Sequence, residues 1–469
     1  MAYEDELKEQ KRWHLLARWS DAPWFEKSVP REFLAPAEQR ALQGDALWRM
    51  AVFAAEHVPH YREVFARLGL SPAEMSDPSA LASLPVLQRS DIGARLERFR
   101  PDVMPKGFTF THSATTSGST GEPVKVYKTQ VQDLQWAKFM QREARWFRFD
   151  PLGTMGMIRT PDDLPKLPDG KDVPDDGVCQ RPAWPSIGSF FETGPFVGCS
   201  VLCPVSRQAD WLGEHRPDYL VAQASGLEHL AFECEARPAV PEVRAVHAIA
   251  QELTPSMRSH VERVFRAPVH QNYGLNEIGL VASRCPEGGR YLVHAESSIV
   301  EIVDEEGRPC RPGQRGRILV TAITNPAMPL FRYDSGDMAE CTEEPCPCGR
   351  TLPSFGAILG RYHRMAFLPP GTYLRFLRVH RAFSALPRQA VGHIRQYQLH
   401  QFRDGSFELR VVAAEGLTPA FQAHIEQAWR SDSDPSCPPL RIVRVDAIPL
   451  PPGGKYENFT SDLSPPRDT

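Results

Sequence analysis

Hydrophobic residues recur at helical spacing near the start of the chain. Leu47, Met50 and Ala54 fall on one face of a helix, with polar residues between them. The pattern predicts helices over residues 4–66. Residues 71–105 also have helical spacing, but four prolines interrupt it, so only short helical pieces are expected there.

The next segment combines one clear helix with a long irregular stretch. Residues 124–127 are β-prone and predict a strand, and residues 130–148 have helical spacing with several aromatic side chains. Residues 151–195 are rich in Pro, Asp and Gly. This composition predicts mostly loop, in the form of a lid or an insertion on the substrate side.

Strands and helices alternate between residues 196 and 280. Tyr219–Ala222 and Val246–Ala250 are short apolar runs, and helical spacing follows each of them. This alternation is typical of parallel pairing in an α/β sheet. Further along, Ser298–Val303 and Arg317–Thr321 flank a turn-rich segment, which predicts antiparallel pairing.

The last hundred residues predict a small separate domain. Tyr397–Gln401 and Phe407–Val411 lie on either side of Asp404-Gly405, a hairpin signal. Thr418 followed by proline predicts a helix start, and Leu440–Val445 predicts another strand. A β-β-α-β arrangement accounts for these elements.

The predicted fold class is therefore α/β, with two domains. Residues 1–361 form a large domain of mixed sheets flanked by helices, and residues 362–469 form a small mobile α+β domain beyond a hinge. At 469 residues, the chain is long enough for this organisation.

Composition narrows the function classes. Hydrophobic residues make up 42% and charged residues 24%, and the net charge of -4 gives no basic field for nucleic acid. The chain contains no run of ~20 apolar residues, so no membrane span is predicted. The acidic N-terminus does not resemble a signal peptide. Ten scattered cysteines are typical of reduced thiols in the cytoplasm. The sequence leaves open whether the chain forms a homodimer.

A Ser/Thr/Gly-rich stretch within His112–Val126 is the strongest candidate for chemistry. Its centre is Ser117-Gly118-Ser119-Thr120-Gly121. Glycines allow successive backbone N–H groups to point at one anion, and the hydroxyls add further donors, so this composition fits a polyphosphate. The Walker A ending is missing. Taken alone, the stretch is more typical of a polar surface turn.

Three further motifs follow in order. They are Gln271–Glu277 (Gln-Asn-Tyr-Gly-Leu-Asn-Glu), Phe331–Asp337 (Phe-Arg-Tyr-Asp-Ser-Gly-Asp) and Pro451–Lys455 (Pro-Pro-Gly-Gly-Lys). With the Ser/Thr/Gly stretch, their order and spacing resemble the adenylate-forming superfamily of acyl- and aryl-CoA ligases. The segments Ala55–Arg62 and Cys346–Pro353 resemble its phenylacetate–CoA ligase-like branch in particular.

The resemblance implies a reaction and a set of roles. ATP and a carboxylate would give an acyl-adenylate and pyrophosphate, and an acceptor would then take the acyl group. The loop residues would hold the β- and γ-phosphates, Mg²⁺ would lie near Thr120 and Glu277, and a lysine would bridge the α-phosphate and the carboxylate. The implied catalytic residues are Lys455, Glu277 and Thr120, and the implied nucleotide-binding residues are Ser117, Gly118, Ser119, Thr120, Gly121, Asn272, Tyr273, Asp337 and Arg361.

The acid pocket is expected around Ala224, Ser225, Gly226 and Gly274, with walls from residues 136–200. Aromatic side chains in those walls favour an aromatic or apolar acid, in a specialised biosynthetic pathway. CoA, a carrier-protein thiol or an amine would be the acceptor. The alternative is a nucleotide-binding homologue without turnover that acts as a scaffold or regulator.

A cysteine-rich group predicts a metal site. Cys346 and Cys348 supply two thiols, and Cys285 and His294 lie upstream, so four N/S ligands suit a structural Zn²⁺. Similar positions bind zinc in some members of the branch. Cys341 is an alternative ligand, and two buried free thiols in a turn are the alternative interpretation.

Two departures from the branch affect the expected chemistry. Glu122 stands where relatives usually carry lysine, which removes a positive charge beside the phosphates. Residues 362–365 lack the usual acidic hinge residues, and the segment after them also differs. The hinge departure affects the expectation of thioester formation more than that of adenylation.

Overall fold

A computed structural model describes most of the chain. The described residues are 2–16, 28–115, 125–251, 253–361, 379, 394–413, 416–430, 438–448 and 459–462. They fall into two compact units. The first comprises residues 1–252 and 260–358, and the second comprises residues 253–259 and 359–469.

The described helices are mostly short. The α-helices are α1 (Ala2–Leu15), α2 (Ser28–Glu32), α3 (Pro36–His57), α4 (Pro59–Leu68), α5 (Arg89–Ala94), α6 (Gln130–Trp146), α7 (Val205–His215), α8 (Ala224–Glu235), α9 (Pro255–Phe265) and α10 (Pro419–Trp429). Single 3₁₀ turns cover Pro72–Ser76, Pro78–Ser83, Leu96–Phe99, Pro161–Asp163 and Ile187–Ser189. The helical prediction for residues 4–66 is thus confirmed where those residues are described, as are the short pieces over 71–105.

The described strands are β1 (Phe110–Thr115), β2 (Lys125–Thr129), β3 (Met155–Arg159), β4 (Val178–Arg181), β5 (Phe196–Ser200), β6 (Tyr219–Gln223), β7 (Ala245–Ile249), β8 (Val269–Leu275), β9 (Gly279–Arg284), β10 (Tyr291–Val293), β11 (Ser298–Val303), β12 (Arg315–Ala322), β13 (Leu330–Cys341), β14 (Ser354–Arg361), β15 (Ile394–Gln401), β16 (Phe407–Ala413), β17 (Leu440–Val445) and β18 (Phe459–Ser461).

A mixed sheet organises the first unit. Its strand order over the described residues is β11-β12-β13-β14-β10-β9-β8-β7-β6-β3-β5-β4. Strands β5, β3, β6, β7 and β8 pair in parallel. Antiparallel pairs join β8 to β9, β9 to β10, β10 to β14, β11 to β12 and β12 to β13. The predicted parallel and antiparallel regions are both confirmed. A ligand is expected at the carboxyl ends of the parallel strands.

Two strands in this unit were not predicted. Residues 151–195 are mostly loop and turn, as expected, but they also contribute β3 and β4 to the main sheet. Strand β3 pairs with both β5 and β6, so its short Met-Gly-Met-Ile-Arg run lies inside the sheet. The Pro, Gly and Asp residues on either side of β3 form its connecting loops, and they dominate the composition of the segment. The strand was therefore not predicted from that composition.

Helices cover both faces of the main sheet. Helix α3 begins with Pro36 at its first turn, where Glu38 accepts a hydrogen bond from the backbone N–H of Ala35. Helices α3 and α4 contribute to one hydrophobic core with β8 to β13, and α6 contributes to another with β3 to β7. Helix α6 thereby brings its polar residues close to the middle of the sheet.

The second unit contains a four-stranded sheet. Strand β15 pairs antiparallel with β16 in the middle of this sheet. On the outside, β18 pairs in parallel with β15, and β17 pairs in parallel with β16. Helix α10 begins as predicted, because Thr418 Oγ1 accepts a hydrogen bond from the backbone N–H of Phe421. The hairpin, helix and strand predicted for this region are confirmed.

No helix in the described part of the chain combines the length and hydrophobicity that a membrane crossing requires.

Candidate active site

The predicted phosphate loop connects two paired strands. Thr115 at the end of β1 lies opposite Lys125 at the start of β2, so residues 116–124 join the two strands of a hairpin. Ser117–Gly121 and Glu122 lie outside the described residues. On the described side of the loop, Lys125 Nζ lies 5.8 Å from the ring centroid of Tyr127. The hairpin therefore fixes both ends of the predicted loop next to each other.

Two of the predicted motifs meet in one hydrogen bond. Tyr273 lies on β8 and Asp337 on β13, and the Tyr273 hydroxyl donates to Asp337 Oδ2 at 2.9 Å. Both side chains are buried. The backbone N–H of Asp337 donates to Ser335 Oγ at 3.1 Å, across Gly336, whose φ is +77°. The positive φ turns the strand so that the Asp337 carboxylate faces Tyr273.

Glu277 lies in the turn after β8 and is also buried. The Tyr333 hydroxyl donates to Glu277 Oε1 at 2.9 Å, and Arg89 Nη1 lies 3.4 Å from the same oxygen. Burial, together with the nearby Glu277 carboxylate, raises the pKa of Tyr333. This carboxylate is thus held between one hydroxyl donor and one cation.

The segment before α5 brings Arg89 to the site. The backbone N–H of Leu87 donates to Arg332 O at 3.1 Å, and that of Asp334 donates to Leu87 O at 2.9 Å. These bonds attach the start of α5 to β13. Sequence reasoning missed Arg89, and it quoted Tyr333 within a motif without giving it a role.

The predicted acid-pocket residues lie at the carboxyl ends of the parallel strands. Ala224, Ser225 and Gly226 begin α8 directly after β6. The backbone N–H and the hydroxyl of Ser225 both donate to Gln251 Oε1, at 3.1 and 2.7 Å. A Cβ at Gly274 would meet the carbonyl oxygen of Gly279 at 3.2 Å. A Cβ at Gly226, by contrast, would meet no atom within 4 Å, so the expected pocket is closely packed at Gly274 and open at Gly226.

Gln251 was not singled out from the sequence. It follows Ala250, whose φ of +63° is unusual for a residue with a side chain. The backbone carbonyl of Gln251 accepts a hydrogen bond from Gln271 Nε2 at 3.4 Å. The ends of β6, β7 and β8 are thus connected by hydrogen bonds, and the positive φ of Ala250 is the local signal of this irregular strand end.

Asn272 and Tyr273 are neighbours in sequence, but their side chains point to opposite faces of β8. Asn272 Nδ2 donates to Glu143 Oε2 on α6 at 3.2 Å, whereas the Tyr273 hydroxyl reaches Asp337 on β13. Alternation along a strand explains the difference. Asn272 was predicted to recognise the nucleotide together with Tyr273, yet it lies against α6, a segment predicted to form a wall of the acid pocket.

Three of the four predicted metal ligands lie together. The Sγ atoms of Cys285, Cys346 and Cys348 all lie within 4.8 Å of one another, and all three residues are buried. The backbone N–H of Gly288 donates to Cys285 Sγ at 3.4 Å, and that of Arg350 donates to Cys348 Sγ at 3.5 Å. Hydrogen bonds from the other two thiols lower the pKa of Cys348 to about 2. Such a set favours a thiolate and is chemically suited to a metal.

His294 is not part of this group, which corrects the predicted ligand set. Its backbone N–H donates to Val281 O, and Cys285 pairs with Arg290, so His294 sits four residues along the hairpin from Cys285. Four strand residues span about 13 Å. The His294 ring instead contacts Ser283 Oγ at 2.9 Å and Arg142 Nη1 at 3.0 Å.

The remaining predicted residues lie either away from the three-thiol group or outside the described residues. Cys341, the alternative ligand, donates its thiol to Cys310 O at 3.4 Å and is absent from the three-thiol group. Lys455 lies outside the described residues. Arg361 ends β14, and its side chain is also outside them.

Comparisons with known proteins agree with the resemblance that the motifs indicated. The chain is 26% identical over 408 residues to the phenylacetate–coenzyme A ligase of Thermus thermophilus, covering 84% of each chain. It is 24% identical over 420 residues to that of Escherichia coli K12, covering 87% of this chain and 84% of the relative. No family model matches.

Solved structures show the same fold. A 2-hydroxyisobutyryl-CoA ligase in its postadenylation state, in complex with an acyl-AMP, has a TM-score of 0.69 and 16% identity, and the match covers 92% of this chain and 91% of that one. The same ligase in an open conformation with 2-HIB-AMP and CoA has a TM-score of 0.60 and covers 92% and 93%. The predicted fold class and the predicted resemblance to the adenylate-forming ligases are both confirmed.

Proposed function

Because the chain is a relative of the phenylacetate–coenzyme A ligases over most of its length, we propose that it is an adenylate-forming ligase. It uses ATP to activate a carboxylic acid to an acyl-AMP and then transfers the acyl group to CoA. The observation that carries the proposal is the meeting of separate motifs in the first unit. Tyr273 contacts Asp337, and Glu277 contacts Tyr333 and Arg89.

The proposed roles follow from the chemistry of each group. The Tyr273 ring stacks on adenine. The Asp337 carboxylate accepts hydrogen bonds from the ribose hydroxyls, and Arg361 donates to them. A carboxylate that already accepts one hydroxyl donor at 2.9 Å has lone pairs left for a ribose. Asn272 was predicted to help bind the nucleotide, but its side chain contacts Glu143 on α6.

Glu277 and Thr120 are the proposed contacts of Mg²⁺, which prefers hard oxygen ligands. The Glu277 carboxylate fits this role, because it is buried and is held in place by an O–H donor and a cation. When bound, the ion would neutralise phosphate charge. Ser117, Gly118, Ser119, Thr120 and Gly121 would hold the β- and γ-phosphates by backbone N–H groups and hydroxyls.

In the first step, a carboxylate oxygen attacks the α-phosphorus, a new P–O bond forms, and the bond to the departing pyrophosphate breaks. The protein's contribution is to position two anions and to stabilise the charge that spreads over the phosphate oxygens. We assign Lys455 to bridge the α-phosphate and the carboxylate as a compact cation.

The acid pocket is proposed around Ala224, Ser225, Gly226 and Gly274, with an aromatic or apolar acid as the substrate class. Relatives named phenylacetate–coenzyme A ligase support an aromatic acid. CoA is the favoured acceptor, because a ligase with this fold has been solved with an acyl-AMP and CoA. A carrier thiol and an amine remain alternatives that an acceptor assay would separate.

A structural Zn²⁺ held by Cys285, Cys346 and Cys348 is a further part of the proposal. Their three thiols fit the ion, and a fourth donor is needed for a tetrahedral site. With His294 elsewhere, no other His, Cys, Asp or Glu among the described residues places a ligand atom within 4.8 Å of all three thiols, so no fourth ligand is assigned. The ion would fix the segment around residues 346–350 to the β9–β10 hairpin.

Three broader expectations stay proposals. These are the division into domains at residues 361 and 362, a cytoplasmic location with a biosynthetic role, and homodimer formation. Analytical ultracentrifugation tests the last of them directly.

Carboxylate-dependent exchange of pyrophosphate into ATP tests the activity. Purified protein is assayed with a panel of aromatic and aliphatic acids, and exchange with at least one acid is expected. Lys455→Ala should greatly lower the exchange rate while ATP binding is retained. Measurable ATP binding without exchange for any acid would instead favour the nucleotide-binding homologue without turnover.

A further inference from the structure

Glu143 is a buried carboxylate in the last turn of α6 that none of the proposed catalytic steps uses. Its Oε1 accepts a hydrogen bond from Ser283 Oγ at 2.6 Å, and its Oε2 accepts one from Asn272 Nδ2 at 3.2 Å. Only 1% of Glu143 is exposed, and Ser283 is fully buried. A buried carboxylate with two specific partners is a strong constraint on the orientation of both.

Hydrogen-bond directions in this cluster are determined by Arg142. Its guanidinium can only donate, so His294 Nδ1 must accept the bond at 3.0 Å. The neutral His294 ring then carries its proton on Nε2 and donates to Ser283 Oγ at 2.9 Å. Burial and the Arg142 charge lower the pKa of His294 well below its usual value, which agrees with a neutral ring. Ser283 is left to donate its hydroxyl proton to Glu143.

The same logic fixes the Asn272 amide. An ionised Glu143 can only accept, so the amide nitrogen of Asn272 must face it, and the amide oxygen must face away. Asn272 is partly exposed, and its Oδ1 makes no hydrogen bond to any residue that the structure describes. The Glu143 carboxylate therefore holds the amide oxygen of Asn272, a hydrogen-bond acceptor, in one orientation on the face of β8 opposite Tyr273.

We propose that Glu143 is a positioning residue that orients Asn272, so that Asn272 Oδ1 accepts a hydrogen bond from an O–H or N–H group of the bound ligand. The inference rests on the proposed function, since it places this ligand in the ligase site. Two sources supply the chemistry, a hydroxyl or amino substituent on the acid and the 6-amino group of adenine. The position of Asn272 against α6 favours the acid.

Substitution Glu143→Gln gives a specific test. Ser283 still needs an acceptor, so the new amide must turn its oxygen toward Ser283 and its nitrogen toward Asn272. Asn272 must then turn its oxygen inward and present its nitrogen to the ligand. The site would change from accepting a hydrogen bond to donating one, and the preference between donor and acceptor ligands should reverse.

The measurement is a ratio of kcat/KM values at pH 8.5, where a carboxyl with a pKa near 7 is ionised. One arm compares phenylacetates and benzoates that carry a hydroxyl with the matched methoxy acids, at each ring position. The other arm compares ATP with ITP, which differ at the 6-position of the base. We expect wild-type protein to prefer the donor by about tenfold or more in one arm. Glu143→Gln should lose or reverse that preference.

Two further variants keep the test decisive. Asn272→Leu has a similar volume and no hydrogen bond, so its ratio should fall to about one. Ser283→Ala leaves Glu143 an acceptor for Asn272 and should retain the wild-type preference. A ratio is insensitive to partial loss of folded protein, which affects both ligands equally. A merely structural role of Glu143 would lower both rates without moving the ratio.

The results distinguish a failure of this inference from a failure of the proposed function. If no acid supports exchange, the function fails, and the same ligand pairs are compared by calorimetric binding, which does not require turnover. A shift confined to the ATP–ITP arm identifies adenine as the partner, and one confined to the acid arm identifies the acid. Ratios unchanged by Glu143→Gln and Asn272→Leu in both arms would overturn the inference.

Discussion

The Tyr273 hydroxyl donates a 2.9 Å hydrogen bond to Asp337 Oδ2, and this bond connects β8 in the centre of the main sheet with β13. The two residues are 64 positions apart in sequence. Each belongs to a separate motif, and neither motif alone has a specific meaning. Their contact places an aromatic ring beside a buried acceptor, the pair that a ribonucleoside needs.

Asp337→Asn should weaken nucleotide binding. The amide retains the shape but replaces one acceptor oxygen with a donor, so a ribose hydroxyl loses its partner. One hydrogen bond to a charged group corresponds to about a tenfold or larger increase in the KM for ATP. The KM for the acid should change little. Tyr273→Phe keeps the ring and serves as the matched variant, with a smaller rise. An effect on the acid instead of ATP would remove Asp337 from the ribose site.

Glu277→Gln tests the proposed metal contact. Removing a charge that faces the transition state is expected to lower the rate of pyrophosphate exchange by about a hundredfold or more. The Mg²⁺ concentration for half-maximal rate should rise as well. Glu306, an exposed carboxylate in the turn after β11, provides the control, and Glu306→Gln should leave both values unchanged. An unaltered Mg²⁺ dependence in Glu277→Gln would contradict the assignment.

The sequence predicted what depends on local patterns. Parallel β6 and β7 were predicted because short apolar runs are followed by helices, and the α10 start was predicted because Thr418 can cap it. Tyr273 and Asp337 were predicted from motif resemblance. Strand β3 was missed, since its stabilisation comes from pairing with β5 and β6, and neither partner is visible in its own five residues.

The missed and misplaced site residues have a common cause. Arg89 reaches Glu277 only because Leu87 is hydrogen bonded to β13, and such long-range pairing leaves no local signal. His294 was placed with the cysteines because four N/S ligands suit a structural Zn²⁺ and because similar positions bind zinc in some members of the branch. The β9–β10 register separates them, and register depends on the pairing of whole strands.

The group of three buried thiols, Cys285, Cys346 and Cys348, predicts that the protein contains bound zinc. Purified protein should contain about one zinc per chain by elemental analysis, and a strong chelator should lower the melting temperature. Cys348→Ser should lose the metal. Cys341→Ser is the matched control, because that thiol bonds to a carbonyl outside the group, and its zinc content should stay unchanged. Wild-type protein without stoichiometric metal would refute the zinc site.

A fully buried ion cluster predicts a large stability effect. Glu32 lies 2.9 Å from Arg142, 2.6 Å from Arg145 and 3.3 Å from Arg350, and it is 0% exposed. Burial alone would raise the pKa of Glu32, but the three guanidinium groups outweigh it and lower that pKa.

Glu32→Gln removes the carboxylate that the three cations share, and only Glu296 then remains beside Arg142 and Glu6 beside Arg145 and Arg350. The free energy of unfolding should fall by about 3–5 kcal/mol, as measured by urea titration. Asp45 pairs with Arg49 at the surface, and Asp45→Asn should change stability by less than about 1 kcal/mol. Equal effects of the two substitutions would mean that burial of the cluster has no energetic consequence.

The buried Glu143 carboxyl predicts that the stability of the folded protein falls as the pH rises. Burial raises its pKa from 4.5 to about 7, despite the opposing hydrogen bonds from Ser283 and Asn272. His247 Nε2 lies 3.9 Å away, but burial lowers the pKa of His247 to about 4, so this ring stays neutral in the relevant range. The adjacent Arg142 is engaged by Glu32 and Glu296.

A folded-state pKa above the unfolded value means that the folded protein holds the proton more tightly. The resulting stabilisation is complete below about pH 4.5 and is lost as the pH rises through 7, by up to about 3 kcal/mol. Glu143→Gln cannot titrate, so the melting temperature of the variant relative to wild type should rise between pH 5 and pH 8. Asp133→Asn on the same helix should show no such trend. Parallel curves for wild type and Glu143→Gln would show that the Glu143 carboxyl has the same pKa in the folded and unfolded chains.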